Sequence, residues 1–138
     1  MPETPDLPPS REVVLGSTSR YRRELLSRLN IPFGVASPEV DETPLPGEPP
    51  ETLARRLALA KARAVAAKFP DAAVIGSDQV ADLDGEPLGK PGTHERAVHQ
   101  LQRMRGRTVV FQTALAVVCQ ATGFEQVDLA AVKVRFRD

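Results

Sequence analysis

The sequence predicts an α/β fold, a mixed sheet with helices packed on it. Three observations predict it. The first ordered stretch is an apolar run, Val13-Val14-Leu15-Gly16, followed directly by a helical pattern. A second, longer helical pattern fills 51–68. The last third holds a β-branched apolar run, 108–119, and a stretch of strict alternation, Val132, Val134 and Phe136 against Lys133, Arg135 and Arg137. Short apolar runs bounded by turn residues read as buried strands, and strands alternating with helices build layered α/β domains.

The elements follow in order. Residues 1–10 carry prolines at 2, 5, 8 and 9 and no apolar segment, so they are expected to be a disordered lead-in, with one domain over 11–138. Val13–Leu15 forms a first strand. Ser19 caps a helix whose Leu25, Leu26 and Leu29 share one face, and Pro32 forbids its return beyond Asn30. Phe33–Ala36 is a short second strand. Residues 37–50 form a proline-stiffened acidic loop. The helix over 51–68 is expected to bury Leu53, Leu57, Ala60, Ala64 and Ala67. Ala72–Ile75 is a third strand, ending in Gly76-Ser77-Asp78-Gln79. Asp84-Gly85 signals a hairpin. Thr93 caps a further helix with Ala97, Leu101 and Met104 inward. Thr108–Cys119 is a central strand, and Ala121-Thr122-Gly123 turns the chain into a half-exposed last strand.

Composition excludes several classes. Eighteen basic and eighteen acidic residues cancel, so nothing demands nucleic acid or an anionic membrane as partner. No apolar stretch approaches the roughly 20 residues of a membrane span, and the N-terminus lacks the apolar core of a signal peptide. The single cysteine, Cys119, forbids an internal disulfide and suits a reducing cytoplasm, the expected location. It lies in an apolar run and reads as a small core residue. His94 and His99 are five apart, which does not put them on one helix face, so they make no metal pair.

Three groups carry chemistry. Ser17-Thr18-Ser19 leads into a helix N-terminus followed by Arg22 and Arg23. Free backbone N–H groups, hydroxyls and guanidinium forks together can hold an anion; the plainer reading is an ordinary capped surface helix. Glu39, Asp41 and Glu42 lie on the acidic loop, and Asp78 closes an apolar strand, where an α/β sheet presents its ligands. Carboxylates there can hold Mg²⁺ or accept a proton from water; the plainer reading is solvated loop acids. Lys61, inside an alanine-rich helix, and Lys90, between Gly89 and Pro91, can neutralise charge on a leaving group. Their plainer reading is solvated amines.

Five stretches in order resemble the Maf family of nucleoside triphosphate pyrophosphatases. They are 14–26 (Val-Leu-Gly-Ser-Thr-Ser-Arg-Tyr-Arg-Arg-Glu-Leu-Leu), 40–44 (Val-Asp-Glu-Thr-Pro), Arg56-Leu57-Ala58 with Lys61-Ala62, 75–80 (Ile-Gly-Ser-Asp-Gln-Val) and 88–91 (Leu-Gly-Lys-Pro). The resemblance implies an elongated mixed sheet flanked by helices, with a nucleotide cleft as in inosine triphosphatase-like proteins. It implies cleavage between the α and β phosphates with Mg²⁺ or Mn²⁺. Carried over by motif, Asp78 is the proton acceptor, Ser17, Arg22, Lys61 and Lys90 contact phosphates, and Glu42 helps hold metal. Tyr21 and the pair Asp78-Gln79 resemble the branch acting on 7-methyl-GTP, with Tyr21 and Gln79 selecting the base. N7-methylation makes guanine cationic, and an aromatic face attracts a cation. The alternatives are the dTTP/UTP branch and a remnant that binds without hydrolysing. Family members continue past the position matching Asp138, so the resemblance implies an incomplete domain, with an exposed sheet edge and a homodimer as its association risk.

Overall fold

The computed structural model describes residues 11–88 and 92–137. The expected lead-in, 1–10, and the expected phosphate ligand Lys90 lie outside the described residues. The elements are β1 (Val13–Gly16), α1 (Arg20–Ser27), β2 (Gly34–Ala36), α2 (Pro50–Ala66), β3 (Ala73–Leu83), β4 (Glu86–Leu88), α3 (His94–Met104), β5 (Thr108–Cys119) and β6 (Phe124–Arg135). Among the described residues the six strands form one mixed sheet, ordered β2-β1-β3-β5-β6, with β4 on β3. The expected fold class is the observed one.

Strand β3 organises the molecule. One of its edges pairs with β5 without interruption from Val74 to Asp82. The other edge pairs with β1 in parallel from Ala73 to Gly76, then with β4 antiparallel from Ala81 to Leu83. Between them, Ser77 to Val80 have no strand neighbour on that side. The gap opens because β1 stops at Gly16 and turns into α1 while β3 runs on. Asp78 was expected at the end of a strand; it instead lies in the middle of one. Gly76-Ser77 reads as a stop in sequence, yet both residues continue the ladder.

The core lies between α2 and the sheet. Proline at the helix start suits its missing N–H. The buried stripe is Pro50, Leu53, Ala54, Leu57, Ala58, Lys61, Ala62, Val65 and Ala66. This corrects the expected stripe: Leu53 and Leu57 are inside, whereas Ala60, Ala64 and Ala67 are not. Alanine fits either face, so composition left the helix rotation open. The stripe packs on Val14, Val74, Val80, Ala114, Ala116 and Val118.

Helix and strand touch most closely at Gly76. A Cβ there would lie 2.4 Å from the Ala58 carbonyl oxygen and 2.7 Å from the Ala62 nitrogen. Only glycine leaves room for the α2 backbone at that point.

Smaller expectations divide. Ser19 and Thr93 cap their helices, accepting from Arg22 N and Arg96 N. The Asp84-Gly85 hairpin joins β3 to β4, both residues having positive φ. Cys119 is buried. Leu101 was expected inward but is 54% exposed; Met104 alone of α3 is buried, in a second cluster with Leu83 and Val109. Strand β6 starts at Phe124, eight residues before the expected alternation. Val132 and Val134 are exposed beside Lys133 and Arg135, so no face of that segment is buried. Its outer edge is unpaired among the described residues.

Candidate functional site

The sheet pleat sorts the site residues of β3 onto two faces. Val74, Gly76, Asp78 and Val80 face α2; Ile75, Ser77 and Gln79 face α1. Asp78 and Gln79 are therefore neighbours in sequence but serve opposite sides of the sheet.

On the α2 side, Lys61 is the centre. Its Nζ donates to Asp78 Oδ1 at 3.0 Å and lies 2.9 Å from Glu42 Oε1. The solvated-amine reading of Lys61 is thereby excluded: its side chain is 11% exposed. The close approach at Gly76 sets this geometry. It brings α2 against β3 just before Asp78, and Lys61 lies on the buried stripe next to Ala58 and Ala62. Burial pushes the Asp78 carboxyl above the usual aspartate range. The Lys61 hydrogen bond and charge pull it back, Glu42 pushes it up further, and Arg22 pulls it down. Asp78 Oδ2 is buried and has no hydrogen-bond partner among the described residues. An unsatisfied buried carboxylate oxygen is costly and points to a group that completes it.

Glu42 reaches Lys61 because its loop is tied down. Arg56 donates from Nε to Glu48 Oε2 at 2.7 Å and from Nη2 to Glu48 Oε1 at 2.9 Å and to the Thr43 carbonyl at 3.1 Å. Asp41 Oδ1 accepts from Thr43 N at 3.0 Å. Glu42 is thus held between two fixed neighbours. The sequence reading assigned no role to Arg56 or Glu48. Their eight-residue separation crosses a loop–helix junction, and nothing in the spacing announces a fork–carboxylate pair. Glu39 takes no part in this cluster.

The Arg56 hydrogen bond, opposed by burial, holds Glu48 below its ordinary value of 4.5. A lowered carboxyl stabilises the fold when ionised. That contribution is complete above pH 4.5 and is lost as pH falls through the depressed value. The loop is therefore expected to loosen in acid, with the Arg56 Nε–H resonance titrating below 4.5. A midpoint at or above the ordinary glutamate value would contradict the tie.

Beside this cluster lies a polar cavity of about 350 Å³, lined by Gly16–Ser19, Arg22, Ser37, Pro38, Glu42 and Lys61. Ser17 is buried and its Oγ accepts from Ser19 N at 3.0 Å. Arg22 Nη1 donates to the Ser77 carbonyl at 3.3 Å, across the gap in the β3 edge. The Ser17–Ser19 turn, Arg22 and Glu42, separate in sequence, line one cavity with Lys61.

On the other face, a cavity of about 570 Å³ is lined by Tyr21, Arg22, the leucines of α1, Ile75, Ser77, Gln79, Thr113, Leu115 and residues 128–130. The expected apolar face of α1 exists, but it borders this open space rather than a filled core. None of its residues is buried, and Leu29 is 62% exposed. Tyr21 is 69% exposed. Arg22 lines both cavities, so the polar and apolar chambers meet at its side chain.

Among the described residues no group of three or more His, Cys, Asp or Glu could alone enclose a metal, and no helix is long and apolar enough to cross a membrane.

The arrangement defines an α/β protein of a fold already seen: the structure of a HAM1 protein from Coxiella burnetii superposes with a TM-score of 0.61 at 22% identity, covering 90% of this chain and 72% of that one. The chain belongs to the Maf family, whose sequence profile, described as Maf-like protein, matches residues 12–138. It is 75% identical over 131 residues to the 7-methyl-GTP pyrophosphatase of Polaromonas sp. (strain JS666), spanning 95% of this chain and 60% of that protein. Identity to the 7-methyl-GTP pyrophosphatase of Albidiferax ferrireducens is 68%, spanning 94% and 65%. For that of Aromatoleum aromaticum it is 58%, spanning 92% and 66%. The chain thus spans about 60–66% of the length of these relatives.

Proposed function

We propose that this chain hydrolyses the α–β phosphoanhydride of 7-methyl-GTP or a related modified nucleotide, releasing monophosphate and pyrophosphate. The observation that carries the reading is the cluster of buried Lys61 and Asp78 with exposed Glu42, of which Lys61 and Glu42 line the cavity that holds the N-terminus of α1. High identity to proteins named for that activity supports it.

Ser17, the first turn of α1 and Arg22 bind the phosphate chain. Asp78 takes a proton from water, whose oxygen bonds to phosphorus while the bridging P–O bond breaks and its electrons leave with pyrophosphate. Burial raises the proton affinity of the Asp78 carboxylate, which suits a group that takes a proton. Lys61 offsets charge growing on the phosphates, and Lys90 is assigned the same task by its motif.

The donor set fits a divalent cation. Glu42 offers hard carboxylate oxygens beside the phosphate cavity, while the unpartnered Asp78 Oδ2 is left to accept the proton of water. Mg²⁺ commonly takes one or two carboxylates and completes its shell with substrate phosphates and water. When bound, Mg²⁺ or Mn²⁺ would neutralise phosphate charge.

Tyr21 and Gln79 line the apolar chamber and take the base. Tyr21→Ala is expected to lower kcat/KM for 7-methyl-GTP about 10-fold while changing that for UTP little, since only the first ring is cationic. Equal losses on both nucleotides would remove Tyr21 from base selection.

The primary test is pyrophosphate release by the 138-residue chain with Mg²⁺ or Mn²⁺ over 7-methyl-GTP, GTP, UTP and dTTP. Selective release from 7-methyl-GTP is expected. Preference for UTP or dTTP would replace the substrate reading, and silence from folded protein would leave a binder without hydrolysis.

A further inference from the structure

The apolar chamber contains one carboxylate that the roles above leave unused. Asp128 lies on β6, and its register across the sheet is defined: Asp128 pairs with Leu115, which pairs with Ser77. All three point to the α1 face and line the 570 Å³ cavity. One row along, Gln79 pairs with Thr113, which pairs with Ala130. Gln79 and Asp128 are therefore diagonal across two strand spacings and one two-residue step. At about 4.8 Å per strand and about 6.6 Å along the strand, their Cα atoms are about 12 Å apart. That is enough to admit a purine edge to edge, with a hydrogen bond at either end.

The surroundings give the carboxylate its meaning. The chamber is mostly apolar, with leucines of α1 on one side and Ile75 and Leu115 on its floor. Its other polar side chains, Tyr21, Arg22, Ser77, Gln79 and Thr113, leave Asp128 as its acid among the described lining residues. The hydrogen bond to Asp128 is long: Gln126 Nε2 donates to Oδ2 at 3.3 Å, from the next position on the same face of β6. The charged guanidinium of Arg22 is turned to the Ser77 carbonyl. Asp128 is exposed on the chamber wall, and a carboxylate there favours a ligand that brings positive charge and donors.

We propose that Asp128 is a specificity-determining residue that reads the cationic, methylated guanine. Its carboxylate accepts from the N1–H and N2–H₂ edge and offsets the positive charge, while Tyr21 covers the ring and Gln79 holds the opposite side. A pyrimidine is too short to span both, and an unmethylated guanine lacks the charge. The inference rests on the 7-methylated purine reading of the site and adds the residue that distinguishes charge.

The test is calorimetric binding of 7-methyl-GMP, GMP and UMP to the 138-residue chain, as wild type, Asp128→Asn and Asp128→Glu. Wild type should bind 7-methyl-GMP most tightly. Asp128→Asn should weaken that binding about 10-fold or more, the usual effect of a charged hydrogen-bond partner. GMP, which shares the N1–H and N2–H₂ edge but not the charge, should weaken less than 7-methyl-GMP, UMP should change less than about twofold, and Asp128→Glu should retain part of the preference. Wild-type preference for 7-methyl-GMP that survives in Asp128→Asn, or an equal loss for all three nucleotides, would overturn the role of Asp128 and leave the substrate reading standing. A wild type that prefers UMP, or binds none of the three, would overturn both.

Discussion

Asp78→Asn is expected to reduce turnover by about 10²–10⁴-fold, the range for loss of a positioned general base. The substitution preserves volume and keeps an oxygen for the Lys61 ammonium, 3.0 Å from Oδ1 in the native site. It removes the proton-accepting charge and the unpartnered Oδ2 carboxylate oxygen that we assign to the attacking water. The fold should survive, because the α2 stripe and the β3–β5 ladder do not depend on that charge. Pyrophosphate release and circular dichroism on the same sample decide the matter. Turnover within about twofold of wild type would show that Asp78 is not the base.

Gly76→Ala should have the largest effect on stability. The added methyl would stand 2.4 Å from the Ala58 carbonyl oxygen and 2.7 Å from the Ala62 nitrogen, both backbone atoms of α2. A flexible side chain could turn aside; a helix backbone moves only as a body. The cost of overpacking a tight core is about 1–3 kcal/mol and occasionally more, and this contact belongs at the upper end. Displacing α2 also draws Lys61 away from Asp78, so activity should fall along with the denaturation midpoint. A loss well under about 1 kcal/mol would mean that helix and sheet separate more easily than the geometry implies. Gly76 is then as much a positioning residue as Arg56, acting through the distance between two elements.

Much of the fold was legible because its signals are local. Ser19 and Thr93 announce helix starts, Asp84-Gly85 a hairpin, and 108–119 a buried strand. The misreadings share a cause in non-local packing. Strand β6 begins at Phe124, but Glu125, Gln126 and Asp128 hide it. Only Val127 and Leu129 of its inner face are partly buried against the core, too short an alternation to announce the strand. The α2 stripe was misplaced because alanine fits both faces, and only the approach to Gly76 fixes the rotation. The site followed the same rule. Ser17, Arg22, Glu42, Lys61 and Asp78 were each legible as candidates by type and motif. That Lys61 bridges both carboxylates was not, since the contact joins a helix, a strand and a loop. Arg56 stands in one of the quoted stretches, but its tie to Glu48 was invisible for the same reason.

The alternation along β3 has an evolutionary consequence. Residues 76, 78 and 80 face α2 and the Lys61 cluster, and 75, 77 and 79 face the apolar chamber. With the roles proposed above, substrate preference can drift through odd positions, and through Tyr21 and its neighbours, without any step that disturbs the carboxylates behind the sheet. One strand serves as a partition between a part that must stay fixed and a part free to be retuned. A lineage built on it can change the nucleotide it recognises by single substitutions, each retaining the chemistry.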